Sequence, residues 1–241
     1  MKVFGKTDIG CVRKENQDYF LFEVKDDMAF CVLCDGMGGA NGGALASRLV
    51  CEAYIKELKR QSSELCDFDS IKNVVERAVY SANKNVFQYA TKDLKYEGMG
   101  TTMVTATVKN NVVVISNVGD SRAYKISDLG IKKITRDHSL VEMFVEEGKI
   151  SAEEAKRHPD KNIITKAVGT ERELDADFYN PDMKNGDRIL LCSDGLSNFL
   201  TDDELYSFIY KKDIDKSLNN LIDMAKDRGG SDNITAVILE I

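Results

Sequence analysis

Short apolar runs rich in Val, Ile, Thr and Tyr recur at about 19–24, 28–34, 101–108, 112–118, 121–126, 188–193 and 233–240, each of strand length. Those in the middle of the chain follow one another at hairpin spacing. A helical period governs 43–60, where Ala46, Leu49, Val50, Ala53 and Leu58 approximate a stripe, and 70–91, where Ile71, Val74, Val75, Ala78, Val79, Ala82 and Val86 form a clearer one. Residues 202–210 and 214–227 repeat that period before the last apolar run. Strands grouped as hairpins and helices grouped in pairs predict an α+β fold rather than alternating βαβ units.

Residues 131–165 follow neither pattern: a helix is expected over about 139–147, closed by Gly148, and Ser151-x-x-Glu154 is a capping box that opens a second short helix. This segment reads as an inserted flap. Two prolines, Pro159 and Pro181, and no Ser-rich or Pro-rich linker leave no domain boundary, so residues 1–241 are expected to form a single domain.

At 241 residues and 43% hydrophobic content the chain can bury a substantial core without crosslinks. Its six cysteines, Cys11, Cys31, Cys34, Cys51, Cys66 and Cys192, sit mostly in apolar runs and read as reduced core residues. Cys31 and Cys34 form a CxxC, but on a strand positions three apart face opposite sides and cannot share a metal or a disulfide. The net charge of -7 with scattered Lys and Arg argues against a nucleic-acid surface and suits cation binding. The N-terminus has no apolar run flanked by a cleavage site, and no segment reaches the ~18 apolar residues of a spanning helix. A soluble, cytoplasmic protein without membrane insertion is expected, and nothing suggests more than a monomer.

The acids carry the chemistry. Asp35 ends the run FCVLC, Asp194 ends RILLCS, Asp120 follows VVVISNVG, Asp18 precedes YFLF and Asp232 precedes NITAVIL. Each alone is ordinary turn chemistry. Gathered at one rim without nearby basic partners, they would repel one another unless a cation neutralised them. Oxygen ligands in a chain with two histidines, His138 and His158, point to Mg²⁺ or Mn²⁺ rather than zinc. Both histidines fall on the flap and read as surface or capping residues. Gly36 permits a sharp turn with an exposed carbonyl, and the pairs Gly38-Gly39 and Gly42-Gly43 permit close backbone approach; a plain flexible loop is the other possibility.

Seven ordered segments, TDIGCVRKENQDYF (7–20), CDGMGG (34–39), GMGTTMV (98–104), VGDSRAY (118–124), ITRDHSLV (134–141), CSDGLSN (192–198) and SDNITAVIL (231–239), resemble the metal-dependent protein serine/threonine phosphatases, the PPM family or type 2C, in compact bacterial form. The resemblance implies a four-layer α-β-β-α sandwich with a cluster of Mn²⁺ or Mg²⁺ at one end, two core ions and a weaker third. By that resemblance Asp35 bridges the core ions, Gly36 offers its carbonyl to the first, Asp194 and Asp232 hold the second, and Asp18 holds metal-bound water. Asp120 with Asp194 matches the third site, Asn233 is a candidate to orient metal-bound water, and Arg13 matches the phosphate-binding arginine. A guanidinium suits that task because it can grip two phosphate oxygens, although an isolated Arg13 would read as a surface partner of Glu15. The implied reaction is direct hydrolysis of phosphoserine and phosphothreonine by water activated between the two ions, without a phosphoenzyme. Implied partners are phosphoproteins and an opposing bacterial Ser/Thr kinase.

Other phosphatase chemistries fail on spacing. Cys-x5-Arg is absent, because the residues six beyond the cysteines are Gln17, Met37, Ala40, Glu57, Lys72 and Asn198. Gly5-Lys6-Thr7 lacks the earlier glycine of a phosphate-cradling loop, and Asp213-Ile-Asp215 lies in a polar stretch, not after an apolar strand. Two departures from the family concern the proton donor: Met37 stands where many eukaryotic relatives have histidine, and Ala40 and Gly43 stand where bacterial members commonly carry a histidine and an acid. Protonation of the leaving oxygen then falls to water. The rival functions are an inactive phosphoprotein-binding scaffold and a phosphatase of small molecules.

Overall fold

The computed structural model describes residues 1–241, except that the side chains of residues 39–41, Ala40 among them, lie outside the description. Eleven strands and seven α-helices follow in the order β1 (Lys2–Asp8), β2 (Asp18–Lys25), β3 (Met28–Met37), α1 (Gly39–Arg60), α2 (Phe68–Lys92), β4 (Gly100–Thr101), β5 (Met103–Lys109), β6 (Val112–Val118), β7 (Arg122–Ser127), β8 (Gly130–Lys133), α3 (Leu140–Glu146), α4 (Ala152–Ala155), β9 (Asp177–Tyr179), β10 (Arg188–Cys192), α5 (Asp194–Ser197), α6 (Asp202–Ile209), α7 (Ile214–Asp227) and β11 (Ile234–Glu240). One sheet runs β1-β11-β10-β7-β8. The other runs β2-β3-β5-β6-β9, with β4 paired to the end of β3. Neighbouring strands are antiparallel throughout.

Three apolar layers hold this together. Ala29, Cys31 and Leu33 of β3 meet Ile189, Leu191, Val237 and Leu239 between the sheets. The alternate residues Phe30, Val32 and Cys34 pack outward on α1 and α2. On the opposite face Leu190, Cys192, Ile234, Ala236 and Ile238 pack against α5, α6 and α7. The layers are therefore helix, sheet, sheet, helix, as expected. Central strands bury both faces, which is why they read as unbroken apolar runs. Cys31 and Cys34 do face opposite layers, and all six cysteines are free thiols, four of them buried.

The edges were less legible. β1 carries no apolar run: Val3 points inward, and Gly5 is in turn covered by the Phe20 ring, which a Cβ there would strike. β8 and β9 are too short to leave a period, and the four-residue α5, which begins at Asp194 just after the expected strand 188–193, was not expected. α1 starts before the expected 43, and α2 keeps its expected span within two residues.

In the flap, α3 is capped by Ser139 and followed by Gly148 at φ 68°, and the Ser151–Glu154 capping box forms as expected. Its two ends close on each other: Leu140 N–H donates to the Ile163 carbonyl at 2.8 Å, and Thr165 N–H to the His138 carbonyl at 2.8 Å.

Candidate functional site

Asp18, the first residue of β2, lies directly across from Asp35, near the end of β3. Asp194 follows β10 and Asp232 precedes β11 in the other sheet. Asp120 sits in the turn between β6 and β7, where the chain passes from one sheet to the other. The fold thus gathers at one rim five acids that are far apart in sequence.

Their burial and mutual repulsion show in their protonation. Burial first, then the charges of Asp18, Asp194, Asp120 and Asp232, pushes the Asp35 carboxyl well above its usual range. Burial pushes Asp18 up to about 7 against hydrogen bonds from Thr235 and Ser193, and burial with the charges of Asp194 and Asp137 pushes Asp120 up to about 7. Asp194 is raised by burial and by the charge of Asp232, and eased by the charges of Arg122 and Arg13.

The backbone around Asp35 is pinned. Asp35 N–H donates to Thr102 Oγ1 at 2.9 Å, while its carbonyl accepts from Thr102 N–H and Thr101 Oγ1, both at 2.8 Å. Gly36 N–H donates to the Gln17 carbonyl at 3.1 Å. A side chain at Gly36 would collide with the Gly43 carbonyl, and one at Gly43 would stand 2.7 Å from the Gly36 carbonyl carbon, so α1 lies on the Gly36 peptide itself at Gly43. These glycines serve close packing rather than looseness. Gly38, at φ 117°, makes the entry into α1.

Asp18 Oδ2 accepts from Ser193 Oγ at 2.7 Å and from Thr235 Oγ1 at 2.6 Å, and its Oδ1 is buried without a partner. Asp194 Oδ2 accepts from Asn198 Nδ2 at 3.0 Å, and its Oδ1 is likewise buried and unpartnered. Arg13, about half exposed, donates to Asp232 Oδ2 at 2.8 Å rather than pairing with Glu15. That bond, together with the charges of Asp35 and Asp194, raises its pKa.

Asn233 faces the backbone: its Oδ1 accepts from Gln17 N–H at 2.8 Å and its Nδ2 donates to the carbonyls of Ile9 and Glu15 at 3.0 Å. It fastens the segment bearing Arg13, and both amide hydrogens are used in doing so. His138 is a core residue, 6% exposed, rather than a surface or capping one, because its ring turns inward to the Asp120 turn. His158 is half-buried, accepting the Asp160 N–H at Nδ1 in the turn after α4 and resting edge-on against Phe144.

Sequence reasoning missed the supporting shell. Ser193 and Thr235 grip Asp18, Thr102 Oγ1 bonds Ser121 Oγ at 2.7 Å, and half-buried Arg122 holds Asp137 Oδ2 through Nε and a terminal nitrogen at 2.9 and 2.7 Å. Burial works against the Arg122 charge, and Asp137 outweighs it. Several of these residues lie inside the matched motifs, but a hydroxyl's partner is a tertiary fact. Beside the rim, a cleft of about 620 Å³ runs from Asp120 and Asp194 past Arg122 to Val141, Lys156 and Lys161 of the flap.

Among the described residues no three acid, cysteine or histidine side chains close by themselves into a complete cation cage. The donor set nevertheless fits hard, partly hydrated cations. Mg²⁺-like ions keep several waters and take few carboxylates each, and positive charge would relieve the raised pKa values while giving partners to Asp18 Oδ1 and Asp194 Oδ1.

A family model described as Protein phosphatase 2C matches residues 12–237. The serine/threonine phosphatase stp of Listeria monocytogenes is 34% identical over 98% of this chain and 94% of its own. The crystal structure of the serine/threonine phosphatase Stp1 from Staphylococcus aureus superposes with a TM-score of 0.89 at 35% identity, covering 100% of this chain and 94% of that one. That of the Mycobacterium tuberculosis serine/threonine phosphatase PstP/Ppp does so at 0.89 and 31%, covering 100% and 98%.

Proposed function

The chain belongs to the protein phosphatase 2C family, and on that premise we propose that its five-acid rim is where phosphoserine and phosphothreonine are hydrolysed. Membership makes it a serine/threonine protein phosphatase that depends on divalent metal, and neither a scaffold nor a small-molecule phosphatase is favoured. The residue roles are our assignment, as is the reading of residues 1–241 as one catalytic domain. Asp35, the Gly36 carbonyl, Asp194 and Asp232 would hold two core ions, Mn²⁺ or Mg²⁺, and Asp120 with Asp194 a weaker third. The observation that supports this most directly is the pair of bare, buried oxygens, Asp18 Oδ1 and Asp194 Oδ1, inside a cluster of acids that raise one another's pKa.

When bound, divalent cations neutralise charge on the phosphoryl oxygens and make water a nucleophile near neutral pH. The protein's groups do the rest. Asp18, fixed through Oδ2 by Ser193 and Thr235, presents Oδ1 to hold and orient the attacking water. Arg13 contacts Asp232 through one terminal nitrogen and keeps further N–H donors for the phosphoryl group. Thr101 and Thr102 hold the Asp35 peptide, so its carboxylate need not reorganise during the reaction. Met37 has no proton to give, and we assign protonation of the leaving Ser or Thr oxygen to water. We further propose a monomeric, cytoplasmic enzyme that opposes a Ser/Thr kinase.

Hydrolysis of p-nitrophenyl phosphate and of a phosphothreonine peptide, with Mn²⁺, with Mg²⁺ and with EDTA, tests the proposal. Turnover is expected with a divalent ion and not under chelation, and Asp35→Asn should lose roughly a thousandfold, the worth of several kcal/mol of charge stabilisation. Activity that survives EDTA, or an active Asp35→Asn, would overturn it.

A further inference from the structure

We infer that His138 is a positioning residue for Asp120, its imidazole and backbone together fixing the Gly119–Asp120 turn so that the Asp120 carboxylate points into the acid cluster. The inference rests on the assignment of Asp120 to a weaker cation. Gly119 stands at φ 99°, and its N–H donates to His138 Nδ1 at 3.2 Å. Its carbonyl, in the peptide that leads into Asp120, accepts from His138 N–H at 2.9 Å and from Asn117 Nδ2 at 3.1 Å. Asn117 Nδ2 also donates to the Arg136 carbonyl at 2.9 Å, a second tie between the same segments. On the other side a Cβ at Gly119 would stand 2.7 Å from Thr102 Cγ2, so the turn has no room to retreat.

Because Nδ1 accepts, the ring proton resides on Nε2, which faces Asp177 Oδ2 at 3.3 Å. Burial holds the imidazole pKa below its usual value, in keeping with a neutral ring. A ring present only for volume would need no acceptor at Nδ1. Here its loss leaves a buried N–H without a partner one residue before Asp120.

Three variants separate acceptor from volume. His138→Asn places an amide oxygen near the Nδ1 position, His138→Gln places its amide near Nε2, and His138→Leu fills space without polarity. Two readouts are used: amide exchange of residues 117–121 under EDTA, and calorimetric titration with Mn²⁺. In the Gln and Leu variants exchange should quicken, and the weakest Mn²⁺ affinity should fall, roughly five- to tenfold, the worth of one hydrogen bond. The tighter ions should be unchanged and the Asn variant should stay near wild type. Wild-type behaviour in all three variants, or an Asn variant as impaired as Leu, overturns the role. If the Leu variant does not fold, the Asn and Gln variants decide by the same criteria. A wild-type protein that takes up no weaker ion overturns the third-cation assignment alone, and the exchange comparison still decides on the turn.

Discussion

Asp18 has one oxygen bonded by two hydroxyls and the other bare, and burial has pushed its pKa up to about 7. Replacing it by Asn removes a buried negative charge from a crowd of acids. The Asp18→Asn protein should therefore melt higher than wild type under EDTA at pH 8, while its stabilisation by Mn²⁺ shrinks; a lower melting temperature under EDTA would contradict the electrostatic account. Arg13 carries the opposite charge at the same rim, and a charge-assisted hydrogen bond is worth about 1.5–3 kcal/mol. Arg13→Ala should raise KM for p-nitrophenyl phosphate by roughly tenfold or more, and steady-state kinetics with KM and kcat both unchanged would remove its phosphate role. Asp120→Ala should lower turnover while the two core ions still bind, read by assay and calorimetry on the same preparation. At this scale the acids were legible because they interrupt apolar runs, whereas their partners Ser193, Thr235 and Thr102 were not, because hydroxyls are common and bond whatever the fold brings near.

Among the elements, β3 and α1 set the position of the centre. β3 was legible because its alternate residues enter two different cores, giving a run from Phe30 to Cys34 that stops at an acid. The contact between its end and α1 was not. Gly36 and Gly43 touch backbone to backbone, and a Cβ at either would strike the other. Gly36→Ala should lower the melting temperature by roughly 5 °C or more, because main chain cannot give way as a flexible side chain does; an unchanged melting curve would mean that α1 shifts freely. β1 escaped sequence reasoning for the converse reason. An edge strand with Gly5 on its inner face needs the Phe20 ring to complete its packing, and that ring belongs to β2.

For the whole molecule, the acid cluster makes stability depend on pH with a definite sign. Asp18 and Asp120 have folded-state pKa values of about 7 against 3.8 for the free group, so the folded state binds more protons between those limits. Their contribution is fully present below about pH 4 and is lost as pH rises through 7. Thermal unfolding under EDTA should show this loss between pH 5 and 8, and Mn²⁺ should add more stability at pH 8 than at pH 5. An equal gain at both would argue that the carboxylates are ionised already. No helix among the described residues is long and apolar enough to cross a membrane, so the three apolar layers account for the chain's long hydrophobic runs.

The sequence by itself determined the two periodicities, hence two buried sheets and their covering helices, and it determined which acids stand at strand ends. Both are local matters: side-chain direction follows from backbone geometry, and an acid beside an apolar run must lie where the run leaves the core. Tertiary structure alone decided that β2 and β3 bring Asp18 opposite Asp35, that Ser193 and Thr235 leave one Asp18 oxygen bare, that Arg13 reaches Asp232, and that His138 turns inward to Gly119. Each depends on register and packing between segments distant in the chain, which periodicity does not encode. The Asp35-Gly36 pair near the end of β3 is thus ordinary in sequence and becomes a charged centre once four other strand ends meet it.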